Sequence, residues 1–166
     1  MDPQGPLSKN PGNPLDLLEQ LVIANDWTFD RHDESELMVE VEGRWSAYFL
    51  HFAWRQEVGA IFFSCHFDLR VPKHSMTGAR EMIAAFNERL WLGHFDLLAG
   101  EGETVFRHTV PLRGTAGASV EQLEDLVDTA VAECERLYPA IQMLVWGGRS
   151  VEEAMGIALL DTVGEA

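Results

Sequence analysis

One four-letter motif, whose His and Asp could belong to a metal or acid/base site, occurs twice in the chain. The letters HFDL stand in CHFDLR at 65–70 and again in GHFDLL at 93–98. Successive side chains of a strand point to opposite faces, so the His and the Asp of each copy share a face. If the two strands were close, imidazoles and carboxylates could hold a divalent ion, as in a small metal-dependent enzyme. The side chains concerned are His66, Asp68, His94 and Asp96, with His51 on the outer alternation of its own strand.

The same letters also describe an amphipathic strand with a solvated polar face. The spacing of the four side chains matches no metal-binding motif, so we favour the solvated face and keep the metal-dependent enzyme as the alternative. No metal and no cofactor is expected. His108 alternates with Phe106 and Val110, which predicts a hydrogen-bonded core histidine rather than a catalytic base. Gly147-Gly148 lacks the Lys and Ser/Thr of a phosphate-binding loop.

The charge of the chain narrows the class of partner. Twenty-seven Asp and Glu residues against twelve Lys and Arg give a net charge of −15, which repels nucleic acid and anionic membrane surfaces. A basic segment of another protein could be attracted instead. We therefore predict no nucleic acid and no membrane among the partners.

The cysteines and the hydropathy indicate the compartment. Cys65 and Cys134 belong to no paired motif, which favours a reducing cytosol, and the alternation of its strand predicts that Cys65 is buried. The chain shows neither an export signal nor an apolar run of about 18 residues. A cytoplasmic location is expected.

Composition divides the chain into a tail and one domain. Residues 1–12 are rich in Pro and Gly and are expected to form a flexible N-terminal tail. Residues 13–166 suffice for a single domain with one core. Within it, Asn13 before Pro14 begins a helix, and capping boxes at Ser119 and Ser150 begin two more.

Hydrophobic periodicity predicts the order of the elements. Three period-two strands follow the first helix, a second helix ends near Gly93, and a hairpin turns across 100–103. Pro139 is expected to bend or restart the third helix. A stretch at 27–30 is too short to count as a strand. The predicted fold class is α+β, a single antiparallel sheet of about five strands with helices in the order α-β-β-β-α-β-β-α-α.

Large apolar side chains occupy the alternation of the sheet that faces away from the predicted core. Either helices cover this outer face, or the face binds another protein, because large exposed apolar patches are uncommon on monomers. The candidate binding residues are Met38, Trp45, Ala47, Phe49 and Phe62.

Several segments resemble the YbjN domain family in the form found in alphaproteobacteria. They span roughly residues 13–166 and read NPLDLLEQLVIANDW, GRWSAYFLHFAWR, FNERLWLGHFDL, FRHTVPLRG, SVEQLEDLV and VWGGRSVEEAMGIALLDTVGEA. The resemblance implies a fold similar to type III secretion chaperones. Family members are described as sensory transduction regulators or as proteins linked to stress and motility. The family has no known catalytic residues that could be carried over.

Together these observations predict a non-enzymatic cytoplasmic regulator or chaperone-like protein that binds another polypeptide. A homodimer is also expected. One chain of this length can cover one face of a five-stranded sheet with its helices, yet Trp45, Phe49 and Phe62 require cover on the opposite face. A symmetry-related copy would supply that cover.

Overall fold

The computed structural model describes residues 12–164, with the side chains of residues 12–158. The predicted N-terminal tail lies almost entirely outside the described residues. A single 3-10 turn, Lys73–Ser75, leads into the second helix. The elements are α1 (Pro14–Ala24), β1 (Thr28–Arg31), β2 (Glu36–Glu42), β3 (Ala47–Arg55), β4 (Ala60–Arg70), α2 (Met76–Asn87), β5 (His94–Leu98), β6 (Glu103–Pro111), α3 (Val120–Val145) and α4 (Val151–Gly164).

The strands of the described chain form one six-stranded sheet in the order β1-β2-β3-β4-β6-β5. Every neighbouring pair is antiparallel. The predicted α+β class with a single antiparallel sheet is confirmed. The element order differs by one strand, because the stretch at 27–30 does form the edge strand β1.

Strand β1 is short, and its neighbours hold it in place. Its four residues pair with β2, Phe29 lying opposite Val39. The Arg31 guanidinium lies 3.3 Å from the Asp16 carboxylate and 3.2 Å from the Glu19 carboxylate, both on α1. These tertiary contacts stabilise a strand that is too short to show a hydrophobic period of its own.

The helix starts are those that the capping residues predict. The Asn13 side chain accepts a hydrogen bond from the Leu15 N–H at 3.0 Å. At the start of α3, the Ser119 hydroxyl accepts from the Gln122 N–H at 3.0 Å, and the Gln122 side chain accepts from the Ser119 N–H at 2.9 Å. Helix α3 continues through Pro139 to Val145, so the predicted restart does not occur.

The core lies between the four helices and one face of the sheet, which we call the inner face. Inner-face positions of β2, β3 and β4 are almost fully buried, as are the apolar stripes of α1, α2 and α3. Cys65 of β4 and Cys134 of α3 are both buried, and their sulfur atoms are 3.7 Å apart. The predicted burial of Cys65 is confirmed. The inner-face core of the central strands comprises Leu37, Val39, Val41, Tyr48, Leu50, Phe52, Ile61, Phe63, Cys65, Phe67 and Leu69.

Candidate protein-binding face

The opposite side of the sheet, here called the outer face, carries four of the five predicted binding residues, and the fifth, Trp45, lies in the loop before β3. We call these five residues the outer patch. Met38, Trp45, Phe49 and Phe62 are exposed at 41%, 41%, 39% and 44%, and Ala47 is half-buried. The helices pack on the inner face, so no described residue encloses these four side chains. The patch runs across the centre of the sheet: Met38 lies on β2, Ala47 and Phe49 on β3, and Phe62 on β4.

Strand register brings the patch residues together. Met38 lies opposite His51, and Phe49 and Ala53 flank His51 along β3. Phe62 lies opposite Ala53 on the other side of β3. Residues directly or diagonally opposite on one face are about 4.5–8 Å apart, which is within side-chain contact range. The apolar side chains of Met38, Phe49 and Phe62 therefore surround His51, whose Nε2 lies 3.6 Å from the Glu36 carboxylate.

Trp45 lies in the loop between β2 and β3 and is exposed there, whereas its alternation had predicted a position on the strand. The loop at 43–46 closes through a 2.9 Å hydrogen bond from the Gly43 N–H to the Ser46 carbonyl. The Arg44 N–H donates to a carboxylate oxygen of Glu135, on α3, at 2.5 Å. The Arg44 guanidinium carbon lies 5.2 Å from the centre of the Trp45 ring. Glu135, which sequence patterns did not single out, thus connects this loop to α3.

Acidic side chains border the patch at its Trp45 end. Glu40 lies opposite Phe49, and Glu42 lies opposite Ala47, both from β2. Asp68 follows two residues after His66, which pairs with Phe49. None of these three carboxylates has an ion-pair partner within the described chain. Arg55 lies at the other end of β3, where its guanidinium is 3.9 Å from Glu36.

The first HFDL copy forms its own polar contacts on the outer face. Nδ1 of His66 lies 2.7 Å from Glu103 Oε1, and Nε2 lies 2.9 Å from the Ser64 hydroxyl. A carboxylate can only accept, so the imidazole donates from Nδ1, and the neutral ring then accepts the Ser64 proton through Nε2. Both nitrogens of His66 are therefore occupied by neighbours, and Asp68 takes no part.

The second HFDL copy is separated from the first by strand β6. Nε2 of His94 lies 3.4 Å from the Asp96 carboxylate, which also accepts from Arg107 at 3.2 Å. Two strand spacings of about 4.8 Å separate β4 from β5. In residues 12–158, no group of three or more His, Cys, Asp or Glu side chains could hold a metal ion. The two HFDL copies share the outer face but do not converge.

His108 departs from its prediction. It lies on the inner face opposite Phe63, yet it is only half-buried near the edge of the sheet. The described residues offer its ring no hydrogen bond. Burial, and to a lesser extent the nearby His94, lowers the pKa of His108.

The fold and this face together define the class: a small α+β domain with one helix-covered and one open sheet face. The sequence profile of the family YbjN, described as "Putative bacterial sensory transduction regulator", matches residues 14–143. The chain belongs to the YbjN family. Within residues 12–164, no helix is both long enough and apolar enough to cross a membrane.

A solved structure has the same fold. It is described as "Crystal structure of YbjN, a putative transcription regulator from E. coli". The two chains are 14% identical, with a TM-score of 0.51 over 79% of this chain and 87% of the other. At this identity the likeness concerns the fold alone. A search of curated proteins gives no match.

Proposed function

We propose that the protein is a non-enzymatic cytoplasmic regulator that acts by binding another polypeptide through the outer patch, and that a second copy of the chain is the polypeptide bound there. The observation that carries the proposal is the open apolar centre of the sheet, Met38, Phe49 and Phe62, which the helices of the described chain leave uncovered. Apolar clusters of this kind at the middle of a flat face are typical of interface centres.

The dimensions of the sheet are compatible with a second copy. Six strands spaced by about 4.8 Å, with a mean length of about 25 Å, offer roughly 600 Å² on each protomer. Two such faces bury about 1,200 Å², the lower end of the range for stable complexes. Stacked sheets pack face to face at about 10 Å, which places apolar side chains of one copy between those of the other. A dimer of micromolar affinity is expected.

The charges on the outer face are arranged so that two copies related by a two-fold axis could be complementary. Glu40 and Glu42 lie toward the Trp45 end of the patch and have no ion-pair partner in the described chain, whereas Arg55 lies at the opposite end. A two-fold axis that runs midway between the two sheets, parallel to them and perpendicular to the strands, brings these opposite ends together. The unpaired carboxylates of one copy then approach the Arg55 end of the other.

The second helix is a weaker alternative for the interface. Its apolar stripe is buried within the protomer, against the sheet and α3. The buried stripe residues are Met76, Ala79, Met82, Ile83 and Phe86. The outer patch is therefore the better supported interface.

Static light scattering at micromolar protein tests the dimer. The unmodified chain is expected at twice the 18.6 kDa of one chain. Phe49→Glu places two unpaired carboxylates across the axis and should return the mass to that of a monomer, at a cost of several kcal/mol of association. Met38→Glu is a second variant for the same test. Trp91→Glu changes an exposed aromatic outside the sheet and should leave the dimer intact.

The masses measured by light scattering show whether a second copy of the chain occupies the outer patch. A monomeric unmodified chain refutes the second copy, and a dimer that persists in Phe49→Glu and Met38→Glu refutes the outer patch as its interface. If the chain is monomeric, affinity capture from the native cell compares it with Phe49→Glu. A protein retained by the unmodified chain and by Trp91→Glu, but lost with Phe49→Glu, would then be the occupant.

A further inference from the structure

We propose that the outer face also holds a binding site for a small phosphate-bearing ligand, in a groove that crosses β3, β4, β6 and β5. The groove is an open depression of about 500 Å³, within the size range of small-molecule sites. The groove shares Phe62 with the outer patch, so a ligand bound here and a second copy of the chain would compete for the same face. The outer-face polar residues that line the groove are His51, Arg55, Ser64, His94, Arg107 and Thr109, and the inner-face residue His108 also borders it.

Four of these residues form a continuous row across the sheet. His51 pairs with Ser64, Ser64 with Arg107, and Arg107 with His94. Direct partners on one face have Cβ atoms about 4.5–5.5 Å apart, so that a phosphate group can reach two neighbouring residues at once. The row therefore presents a guanidinium, a hydroxyl and two imidazoles along one line.

Arg107 is the central donor of the groove. Its one ion pair in the described chain uses Nη1, which donates to Asp96 at 3.2 Å. A guanidinium carries five N–H donors in a planar fork, so most of them stay available for a second anion. The hydroxyl of Thr109 lies two residues along β6 on the same face, and Ser64 lies opposite Arg107.

The groove has a charge unlike that of the whole molecule. The chain carries 27 acidic against 12 basic side chains, yet among the described residues two arginines and no carboxylate line the groove. Asp96 pairs with Arg107 and His94, and Glu36 pairs with His51 and Arg55. These carboxylates orient the arginine and histidine side chains. A bound anion would accept hydrogen bonds from the same side chains.

An apolar wall adjoins the polar row. Phe62 and Ala53 pair across β4 and β3 in the next register position, and Phe62 in turn lies opposite Thr109. The Phe62 ring is exposed on the groove side of the outer patch. A ring or alkyl group attached to the phosphate would pack on this wall. The expected ligand class is therefore a phosphate monoester with an apolar or aromatic group.

Isothermal titration calorimetry with two probes tests the site. All measurements, including those of the unmodified groove, use the Phe49→Glu background, because Phe49 does not line the groove and this variant is expected to leave the outer face free of a second copy. Phenyl phosphate should bind several-fold more tightly than inorganic phosphate, because only the ester places a ring on Phe62. Arg107→Gln should weaken phenyl phosphate binding about tenfold or more. Thr109→Val removes one hydroxyl at nearly constant shape and should weaken it less. Arg44→Gln, which removes an exposed guanidinium outside the groove, is the matched control and should bind as the unmodified chain does.

Three results would overturn the proposal. The first is that neither probe gives heat at about 10 mM ligand, a concentration that detects millimolar affinity. The second is that Arg107→Gln and the unmodified chain bind phenyl phosphate with equal affinity. The third is that Arg44→Gln and Arg107→Gln lose the same affinity. Circular dichroism establishes that each variant is folded. If Arg107→Gln fails to fold, Thr109→Val decides, and unchanged affinity in that variant then counts against the site.

Discussion

Replacing Gly43 with alanine should destabilise the protein, although Gly43 lies in a loop. An added Cβ would overlap the Glu135 carboxylate and the edge of the Tyr48 ring. Glu135 could swing away, but it would then release the Arg44 N–H, to which it is bonded at 2.5 Å. Tyr48 cannot move as easily, because it is fully buried and packs edge-on against Phe67 with ring centres 6.1 Å apart.

The size of the Gly43→Ala effect follows from these contacts. Overpacking a well-filled site costs about 1–3 kcal/mol. A hydrogen bond to a charged group contributes about 1.5–3 kcal/mol, less at this partly exposed position. Alanine also lowers the conformational entropy of the unfolded chain, which offsets about 0.4–1 kcal/mol of the lost stability. The net expectation is a loss of about 2–3 kcal/mol.

Urea denaturation followed by tryptophan fluorescence measures the Gly43→Ala loss. With a slope of about 2 kcal/mol per M, the midpoint should fall by about 1–1.5 M. Gly156→Ala is the matched control, because its added Cβ would meet no atom of the described residues within 4 Å. Alanine also favours the α4 helix, so that variant should gain about 0.5–1 kcal/mol. In a Glu135→Ala background, Gly43→Ala should cost less, because one overlapping group is gone. A midpoint for Gly43→Ala at or above that of the unmodified chain would refute the reasoning.

Further predictions concern the buried thiols, the half-buried histidine and the HFDL copies. Burial raises the pKa of the Cys134 thiol, and the Cys65 side chain is buried as well. Both thiols should therefore react with Ellman's reagent only after the protein unfolds. Rapid labelling of the native protein would show that the register of β4 is wrong. Because burial lowers the pKa of His108, the unfolded chain takes up a proton that the folded chain refuses. Stability should therefore fall as the pH decreases below about 6.5, and His108→Gln should lose less stability between about pH 8 and about pH 5; equal losses would contradict this. Elemental analysis of the purified protein should find no stoichiometric zinc or manganese, and a metal signal that disappears in a His66→Ala, His94→Ala variant would contradict that expectation.

Most elements of the fold could be predicted because they depend on neighbours in the chain. The capping box at Ser119 needs only residue 122, and the period-two alternation around Cys65 is enough to predict its burial. Strand β1 was too short for such a pattern. Its four residues are held by pairing with β2 and by Arg31, whose partners on α1 lie 12 and 15 residues away.

The outer patch could be predicted in part. Alternation alone was enough to assign Met38, Phe49 and Phe62 to one face of the sheet, and the structure leaves these side chains exposed there. Whether a helix covered that face depended on where the helices packed, which the period of a strand does not encode. Trp45 illustrates the limit: its alternation is the same as that of Phe49, but a loop bonded to Glu135 positions it.

The sequence by itself determined the α+β class, the helix starts and the side of the sheet on which each strand residue lies, because hydrophobic period and capping act over a few residues. Only the tertiary structure decided which distant groups meet. Cys65 contacts Cys134 across 69 residues, and Arg44 contacts Glu135 across 91. Strand β6 lies between β4 and β5, so the two HFDL copies are apart even though their patterns are the same. Strand order follows from packing the whole chain around one core, and no local pattern records it.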